Sequence, residues 1–147
     1  MQTMIRPLTP PDIPAVRAML QALSDEDGGT HPVGSEASLL HALTTHLLHA
    51  LIHTHGMVIY YPDFSTHRGE PGLYIQDLYD APQARGTGLA RALVAATVQH
   101  QTWGARYITL GVHLTNIAAT RFYTKCGFTS RGYEMMILDG AALESLR

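Results

Sequence analysis

An α/β fold built on a mixed sheet is predicted for this chain of 147 residues. Strand-like and helix-like segments alternate along it, a pattern typical of helices that pack on the faces of a sheet. Two strand-like runs joined by a tight turn around His55-Gly56 add an antiparallel hairpin, so the sheet is expected to be mixed. The length fits one domain, residues 1–147, with a sizeable core.

The first third of the chain is expected to hold one strand and one helix. Residues 2–7 resemble a short strand. The run Thr9-Pro10-Pro11-Asp12 combines a capping residue with prolines in the first turn, which favours a helix start. We predict that this helix extends to about Leu23 and that the Asp- and Gly-rich residues 24–34 form a loop.

The middle of the chain is expected to form a helix and two strands. Ser35 can cap this second helix, in which leucines recur at helical spacing from Leu39 onward. Strands are predicted at 50–54 and 56–61, followed by a polar loop at 63–72.

Predicted strands and helices continue to alternate in the rest of the chain. We predict a strand at 73–80, a helix at 88–101, a strand at 106–113 and a helix at 116–126. One or two further strands are expected at 128–138.

The turn between the strand 73–80 and its helix has the chemistry of an anion site. Gly86 and Gly88 allow a ligand to approach the backbone closely, the helix N-terminus presents unpaired N–H groups, and Arg85 adds a positive charge. A Walker loop is excluded because Gly88 is not followed by Lys and Ser or Thr. A dinucleotide fingerprint is excluded because Arg91 stands where it needs a third small residue.

What remains, Gln83-x-x-Gly86-x-Gly88, resembles the pyrophosphate loop of the GNAT superfamily of N-acetyltransferases. A second segment, from Asn116 to Phe128, is similar to that superfamily's Asn-x-x-Ala-x-x-Phe-Tyr-x-x-x-Gly-Phe signature. The resemblance implies a mixed, mostly antiparallel sheet of six to seven strands with about four helices. It also implies acetyl-CoA as acetyl donor and direct attack of an amine on the thioester.

The resemblance assigns cofactor contacts to a strand end, to the glycine turn and to the last helix. These residues are Leu78, Tyr79, Asp80, Arg85, Gly86, Thr87, Gly88, Ala90, Arg91, Asn116 and Ala119. Asn116 has a structural alternative, since it stands where an N-cap is expected.

Tyr123 matches the tyrosine that donates a proton to the departing thiolate in this superfamily, and its alternative is a residue that only lines the pocket. The run Pro71–Tyr79 is similar to the diamine (polyamine) and thialysine branch, whose Glu-Asp pair is Gln76-Asp77 here. Gln76 is therefore a candidate substrate contact that cannot act as a base. If the glutamate of that branch serves as the base, either Asp77 or a water chain must replace it here. Strand alternation predicts that Gln76 and Asp77 point to opposite faces.

Further predictions concern the acceptor and metal binding. Asp25 and Glu26 are expected to attract a cationic amine from the loop after the first helix, or else to be solvated loop charges. The nine histidines show no standard ligand spacing, so no metal site is predicted and polar-face positions are expected, with His113 as a possible base. Cys126 is expected to be a packing residue.

Composition limits the partners and the location. The net charge of −2 argues against nucleic acid, and the sequence contains no apolar run long enough to span a membrane. The single cysteine and a start without an apolar signal region favour a cytoplasmic protein. The branch resemblance implies a homodimer.

Three functions stay open at this point. The first is an acetyl-CoA-dependent N-acetyltransferase that acts on a primary amine of a small molecule, such as a polyamine or an amino-acid-like amine. The others are a protein lysine or N-terminal acetyltransferase and a non-catalytic acyl-CoA-binding module.

Overall fold

A computed structural model of the chain describes residues 4–29 and 32–147. The chain divides into two compact units, Met1–Leu110 and Gly111–Arg147. The prediction of one domain over 1–147 stays a prediction. The predicted strand at 2–7 begins outside the described residues.

The first unit contains three helices and five strands among its described residues. They are, in chain order, β1 (Arg6–Pro7), α1 (Ile13–Glu26), α2 (Glu36–Thr44), β2 (His49–His53), β3 (Gly56–Ser65), β4 (Glu70–Asp80), α3 (Leu89–His100) and β5 (Ile108–Leu110). Short 3-10 turns at Pro10–Asp12 and Pro82–Ala84 precede α1 and α3.

The five strands form one sheet in the order β1-β2-β3-β4-β5. The first four strands pair antiparallel, and β5 pairs parallel to β4 after the crossover through α3. The predicted mixed sheet is thus confirmed. The predicted loop at 63–72 is wrong, because β3 extends to Ser65 and β4 begins at Glu70.

The expectation of six to seven strands is not met by the described residues. The second unit holds α4 (Ile117–Lys125) and α5 (Gly140–Glu144), and residues 128–138 form no strand there. Alternating side chains favour a strand, but a strand also needs a neighbour for its backbone hydrogen bonds. In that segment the apolar side chains of Met135, Met136 and Ile137 are instead 74–90% exposed.

The two faces of the sheet are covered by different helices. Ile13 and Val16 of α1 pack with Met57, Ile59 and Tyr79 in one buried cluster. On the opposite face, a methyl group added to Gly56 would meet the side chains of α3, Leu89 and Leu93, at 3.1–3.2 Å. We call these the α1 face and the α3 face. Burial of apolar side chains on both faces is the main stabilising contribution to this sheet.

A bulge interrupts the pairing of β3 with β4. Ile59 lies opposite Asp77 while the next residue, Tyr60, lies opposite Ile75, so that Gln76 is one residue in excess. A bulge lets two consecutive side chains leave the strand on the same side and increases the local twist. The resulting change of alternation determines where the polar side chains of β4 point.

Tyr107 closes the far end of the α1 face in an arrangement that depends on Gly72. A methyl group on Gly72 would lie 2.3 Å from carbons of the Tyr107 ring, whose hydroxyl donates to Asp63 Oδ2 at 2.6 Å. The glycine is needed here because the aromatic ring occupies the space of a side chain.

We therefore expect Gly72→Ala to destabilise the protein by about 2–3 kcal/mol, since either the ring or the strand must move. Urea unfolding would measure this loss. Gly34→Ala is the matched control, because its added methyl meets its neighbour at an ordinary 3.7 Å. Equal stability of the two variants would contradict the packing described here.

Candidate functional site

The C-terminal half of β4 has an edge that β5 does not cover. The ladder with β5 joins Leu73, Tyr74 and Ile75 to Ile108, Thr109 and Leu110 and stops there. On the other edge, the Ala81 N–H donates to the His55 carbonyl at 2.7 Å.

Hydrogen-bonded pairs alternate along an antiparallel ladder, so the Ala81–His55 bond fixes the direction of the preceding backbone groups. Tyr79 points its N–H and C=O toward β3, whereas Leu78 and Asp80 point theirs toward the side where β5 has ended. Of the three strand-end residues predicted to contact the cofactor, Leu78 and Asp80 thus offer backbone groups. The Tyr79 side chain belongs to the buried cluster on the α1 face.

The glycine turn that follows is shaped to expose main-chain N–H groups. Gly86 and Gly88 have φ angles of 81° and 90°, in the left-handed region that favours glycine. The Thr87 hydroxyl and N–H both donate to the Ala84 carbonyl, which tightens the turn. Gly88 is the N-cap of α3, and no side chain among the described residues caps it.

The first N–H groups of α3 therefore remain available to a ligand, at the positive end of the helix dipole. They belong to Leu89, Ala90 and Arg91, and the Arg91 side chain lies exposed on the same first turn. This arrangement suits the phosphate groups of a nucleotide-like ligand.

Arg85 does not point freely into solvent beside these glycines. Its Nη2 donates to Glu26 Oε1 at 2.5 Å, and its Nε donates to the Asp80 carbonyl at 3.3 Å and lies 3.5 Å from the Asp80 carboxylate. These contacts raise the pKa of Arg85, and the hydrogen bond to Glu26 is the largest cause. The structure thus brings Glu26, which the sequence assigned to the acceptor amine, into contact with Arg85, which it assigned to the cofactor together with Asp80.

The acidic segment after the first helix differs from the expectation. The helix α1 extends to Glu26, so Asp25 and Glu26 belong to its last turn and not to a loop. Asp25 accepts a hydrogen bond from Gln21 Nε2 one helical turn earlier, at 3.0 Å. Helical i,i+4 contacts of this kind extend the helix beyond the predicted end at Leu23.

Gln76 and Asp77 lie on the same face of the sheet, and the expectation of opposite faces is wrong because of the bulge. Asp77 lies opposite Ile59 of the buried cluster on the α1 face. Tyr61, two residues along β3 from Ile59, shares that face, and its hydroxyl donates to Gln76 Oε1 at 3.4 Å. The Tyr61 ring also stacks on Tyr74, with centroids 5.1 Å apart.

The two β4 side chains have different surroundings. Gln76 is exposed, whereas Asp77 is largely buried and its desolvation raises the pKa of the carboxyl group to about 6. Burial disfavours the charged form of a carboxylate, which makes it a stronger base once it is ionised. A carboxylate with a pKa near 6 is ionised at neutral pH and can accept a proton from an amine.

The second unit contains the remaining predicted site residues. The Asn116 side chain caps α4, because its Oδ1 accepts a hydrogen bond from the Ala119 N–H at 3.0 Å. The N-cap role that the sequence offered as an alternative to cofactor binding is therefore present for this side chain. The Tyr123 ring packs edge-to-face against Phe122 and Phe128, at centroid distances of 5.2 and 5.5 Å. Cys126 is half-buried at the end of the helix.

The histidines do not form a metal centre in the part of the chain that the structure describes, where no three metal-ligating side chains converge. His53 Nδ1 instead accepts from the His55 N–H at 3.0 Å, and the His49 ring lies 5.1 Å from Trp103. His113 is exposed. No helix within residues 4–29 and 32–147 has the length and apolar character needed to cross a membrane.

Comparison with known families supplies the decisive observation. The sequence profile of the acetyltransferase (GNAT) family matches residues 17–128, which is more than half of the chain. The chain belongs to this family. Its members generally use acetyl-CoA, and the protein is an acetyl-CoA-dependent N-acetyltransferase. The matched region includes the glycine turn, the bulged strand and the segment from Asn116 to Phe128.

Solved structures share the GNAT fold at low sequence identity. An integron cassette protein from V. cholerae is 20% identical, with a TM-score of 0.77 over 99% of this chain and 98% of that one. A possible acetyltransferase from Clostridium difficile 630 is 17% identical, with a TM-score of 0.76 over 95% and 99% of the two chains.

A third structure is an aminoglycoside acetyltransferase from an uncultured soil metagenomic sample, solved in complex with sisomicin. It is 16% identical, with a TM-score of 0.75 over 94% of this chain and 95% of that one. A search of curated protein sequences finds no match.

Proposed function

We propose that this acetyltransferase transfers the acetyl group of acetyl-CoA to a primary amine of a small molecule, such as a polyamine or an amino-acid-like amine. The observation that carries the proposal is the arrangement around the end of β4. The part of β4 beyond its ladder with β5 is followed by the glycine turn and by a helix N-terminus that no described side chain caps. The largely buried carboxylate of Asp77 lies three residues before the end of the same strand.

The cofactor would lie along this strand edge. The backbone of Leu78 and Asp80 would bond the amides of the pantetheine arm, as an additional strand bonds to a sheet edge. The pyrophosphate would be bound by the N–H groups of the glycine turn and of Ala90 and Arg91. In the second unit, Asn116 and Ala119 are the proposed cofactor contacts on the basis of the family signature.

The acceptor amine would approach Asp77 from the α1 face. Gln76 offers an amide there, and the stacked Tyr61 and Tyr74 rings offer aromatic surfaces that attract a cationic group. The aminoglycoside acetyltransferase of the same fold, solved in complex with sisomicin, supports a small-molecule acceptor.

The reaction balances without a covalent enzyme intermediate. The amine nitrogen forms a bond to the thioester carbonyl carbon, and the carbon–sulfur bond breaks as the tetrahedral centre collapses. The Asp77 carboxylate takes the proton from the nitrogen. The Tyr123 hydroxyl gives a proton to the departing CoA thiolate, since a phenol is protonated at neutral pH.

Measured CoA release from acetyl-CoA tests this function over a panel of polyamines, lysine analogues, amino acids and peptides. We expect turnover with one or more small amines and a loss of about 10-fold to 100-fold in kcat for Tyr123→Phe, because the thiolate then departs without a proton donor. Tyr133→Phe is the control, since that tyrosine is 76% exposed outside the family signature.

Other outcomes of this assay reject the proposal in distinct ways. Turnover with peptides alone would identify a protein acetyltransferase. Tight binding of acetyl-CoA without CoA release from any panel member, together with no effect of Tyr123→Phe, would indicate a binding module. We also propose a homodimer, as expected for the diamine-like branch, and light scattering measures that mass directly.

A further inference from the structure

The contact between Glu26 and Arg85 joins two segments that lie 59 residues apart in the sequence. Glu26 is the last residue of α1, and Arg85 directly precedes the first glycine of the turn. The ion pair is short, at 2.5 Å, and the side chains are 39% and 46% exposed. It therefore ties the candidate pyrophosphate loop to the helix that covers the α1 face.

The turn itself has few other means of keeping its shape. Nothing lies within 4 Å of a methyl group built on Gly86 or Gly88, so neither glycine is held by packing. Glycine also has more backbone freedom to lose than any other residue. Within the described residues, the other side-chain bond from this turn to a distant segment is Gln83 to His55 Nδ1, at a long 3.4 Å.

The guanidinium of Arg85 already contacts two carboxylates. Its Nη2 and Nε are directed at Glu26 and Asp80, which offset its positive charge before any anion arrives. A phosphate that binds Arg85 directly in a bidentate manner would compete with these carboxylates for the N–H donors along the edge of the guanidinium. The main-chain N–H groups at the start of α3 have no such competitor among the described side chains.

We propose that Glu26 is a positioning residue for the cofactor: by holding Arg85 it keeps the glycine turn in the conformation that receives the CoA pyrophosphate. This inference rests on the proposed function. It assigns Glu26 to the cofactor side of the site and not to the acceptor amine. This contact would increase the affinity for CoA because it orders the loop before binding, so that less conformational entropy is lost when CoA binds.

Calorimetric titration of the protein with CoA tests this role without any need for turnover. Glu26→Gln keeps the shape of the side chain and removes its charge, and we expect the Kd for CoA to rise about two- to fivefold, the range of a partly exposed ion pair. Glu70→Gln is the matched control. It weakens another Glu–Arg contact, with Arg68 at 3.6 Å, at the opposite end of β4, and should leave the Kd unchanged.

A double-mutant cycle separates positioning through Arg85 from any direct effect. In an Arg85→Gln background, Glu26→Gln should have no further effect on the Kd, because the two substitutions remove the same interaction. The effect of Glu26→Gln should also shrink at high salt, and the KM for the acceptor should not change.

Three results would overturn the inference. Tighter CoA binding by Glu26→Gln would mean that Glu26 competes with the phosphates for Arg85. An equal effect in the Arg85→Gln background would mean that Glu26 acts on CoA directly, and an unchanged Kd would mean that the ion pair has no role in binding. If the unaltered protein does not bind CoA, the proposed function itself fails.

Discussion

Asp77→Asn is expected to lower kcat/KM by a factor of 100 or more and to raise the stability of the fold at neutral pH. Loss of activity follows from the proposed role, since a positioned general base contributes about 10²- to 10⁴-fold. In the unaltered enzyme, kcat/KM should fall as the pH drops below about 6, where the Asp77 carboxylate takes up a proton.

The gain in stability is expected because ionised Asp77 destabilises the fold, whereas an ion-paired carboxylate with a lowered pKa stabilises it when ionised. The pKa of Asp77 is raised from 3.8 to about 6 in the folded state, so folding is favoured by its protonation. This contribution is fully present below pH 3.8 and is lost as the pH rises through about 6. At pH 7 the buried charge costs about 1–2 kcal/mol after allowance for partial solvation, and asparagine removes that cost.

Thermal unfolding and steady-state kinetics on the same samples would check both effects. Asp63→Asn is the control on the same face: its carboxylate accepts a bond from the Tyr107 hydroxyl at 2.6 Å, so its loss should reduce stability. The stability difference between Asp77→Asn and the unaltered protein should grow from pH 4 to pH 6 and then level off. An Asp77→Asn protein that is less stable but fully active would rule out Asp77 as the base.

Local sequence signals predicted the parts of the site that depend on backbone conformation alone. The glycines of the turn, the N-cap at Asn116 and the strand-turn-helix succession follow from residue types within a few positions of one another. The structure has Gly86 and Gly88 in the left-handed region and Asn116 bonded to the Ala119 N–H, as those signals indicate.

Contacts between segments that are distant in the sequence could not be predicted from local signals. The contact of Glu26 with Arg85 requires the packing of α1 against the sheet, which no local pattern contains. The bulge at Gln76 has no distinctive residue, such as a glycine, and strand alternation therefore wrongly placed Gln76 and Asp77 on opposite faces of the sheet. The raised pKa of Asp77 follows from burial that depends on that register.

The aromatic residues of the α1 face were missed for a related reason. Tyr61 and Tyr74 belong to two different strands, and their stacking depends on the pairing of β3 with β4. Tyr107 lies over Gly72 but follows it in the sequence only after the whole of α3, so no local pattern indicates their contact. A glycine in the run Pro71-Gly72-Leu73 was the available signal, because glycine within a strand often marks the close approach of another group.

Gly88→Ala is expected to weaken CoA binding by a factor of about 10 to 100. Alanine has room at this position, since nothing lies within 4 Å of the added methyl group, but it disfavours the φ of 90° that directs the first turn of α3. The N–H groups of Leu89 and Ala90 would then lose their common direction. Each lost bond from a backbone N–H to a phosphate costs about 1.5–3 kcal/mol.

Gly69→Ala separates this effect from backbone strain in general. Gly69 lies in the turn between β3 and β4, has a φ of 66° and likewise has nothing within 4 Å of an added methyl group. Both substitutions should lower the free energy of unfolding by about 1 kcal/mol, because alanine is strained in the left-handed region. CoA titration should detect a loss in Gly88→Ala alone. A matching loss in both variants would show that global stability, and not the N–H groups of α3, limits binding of the cofactor.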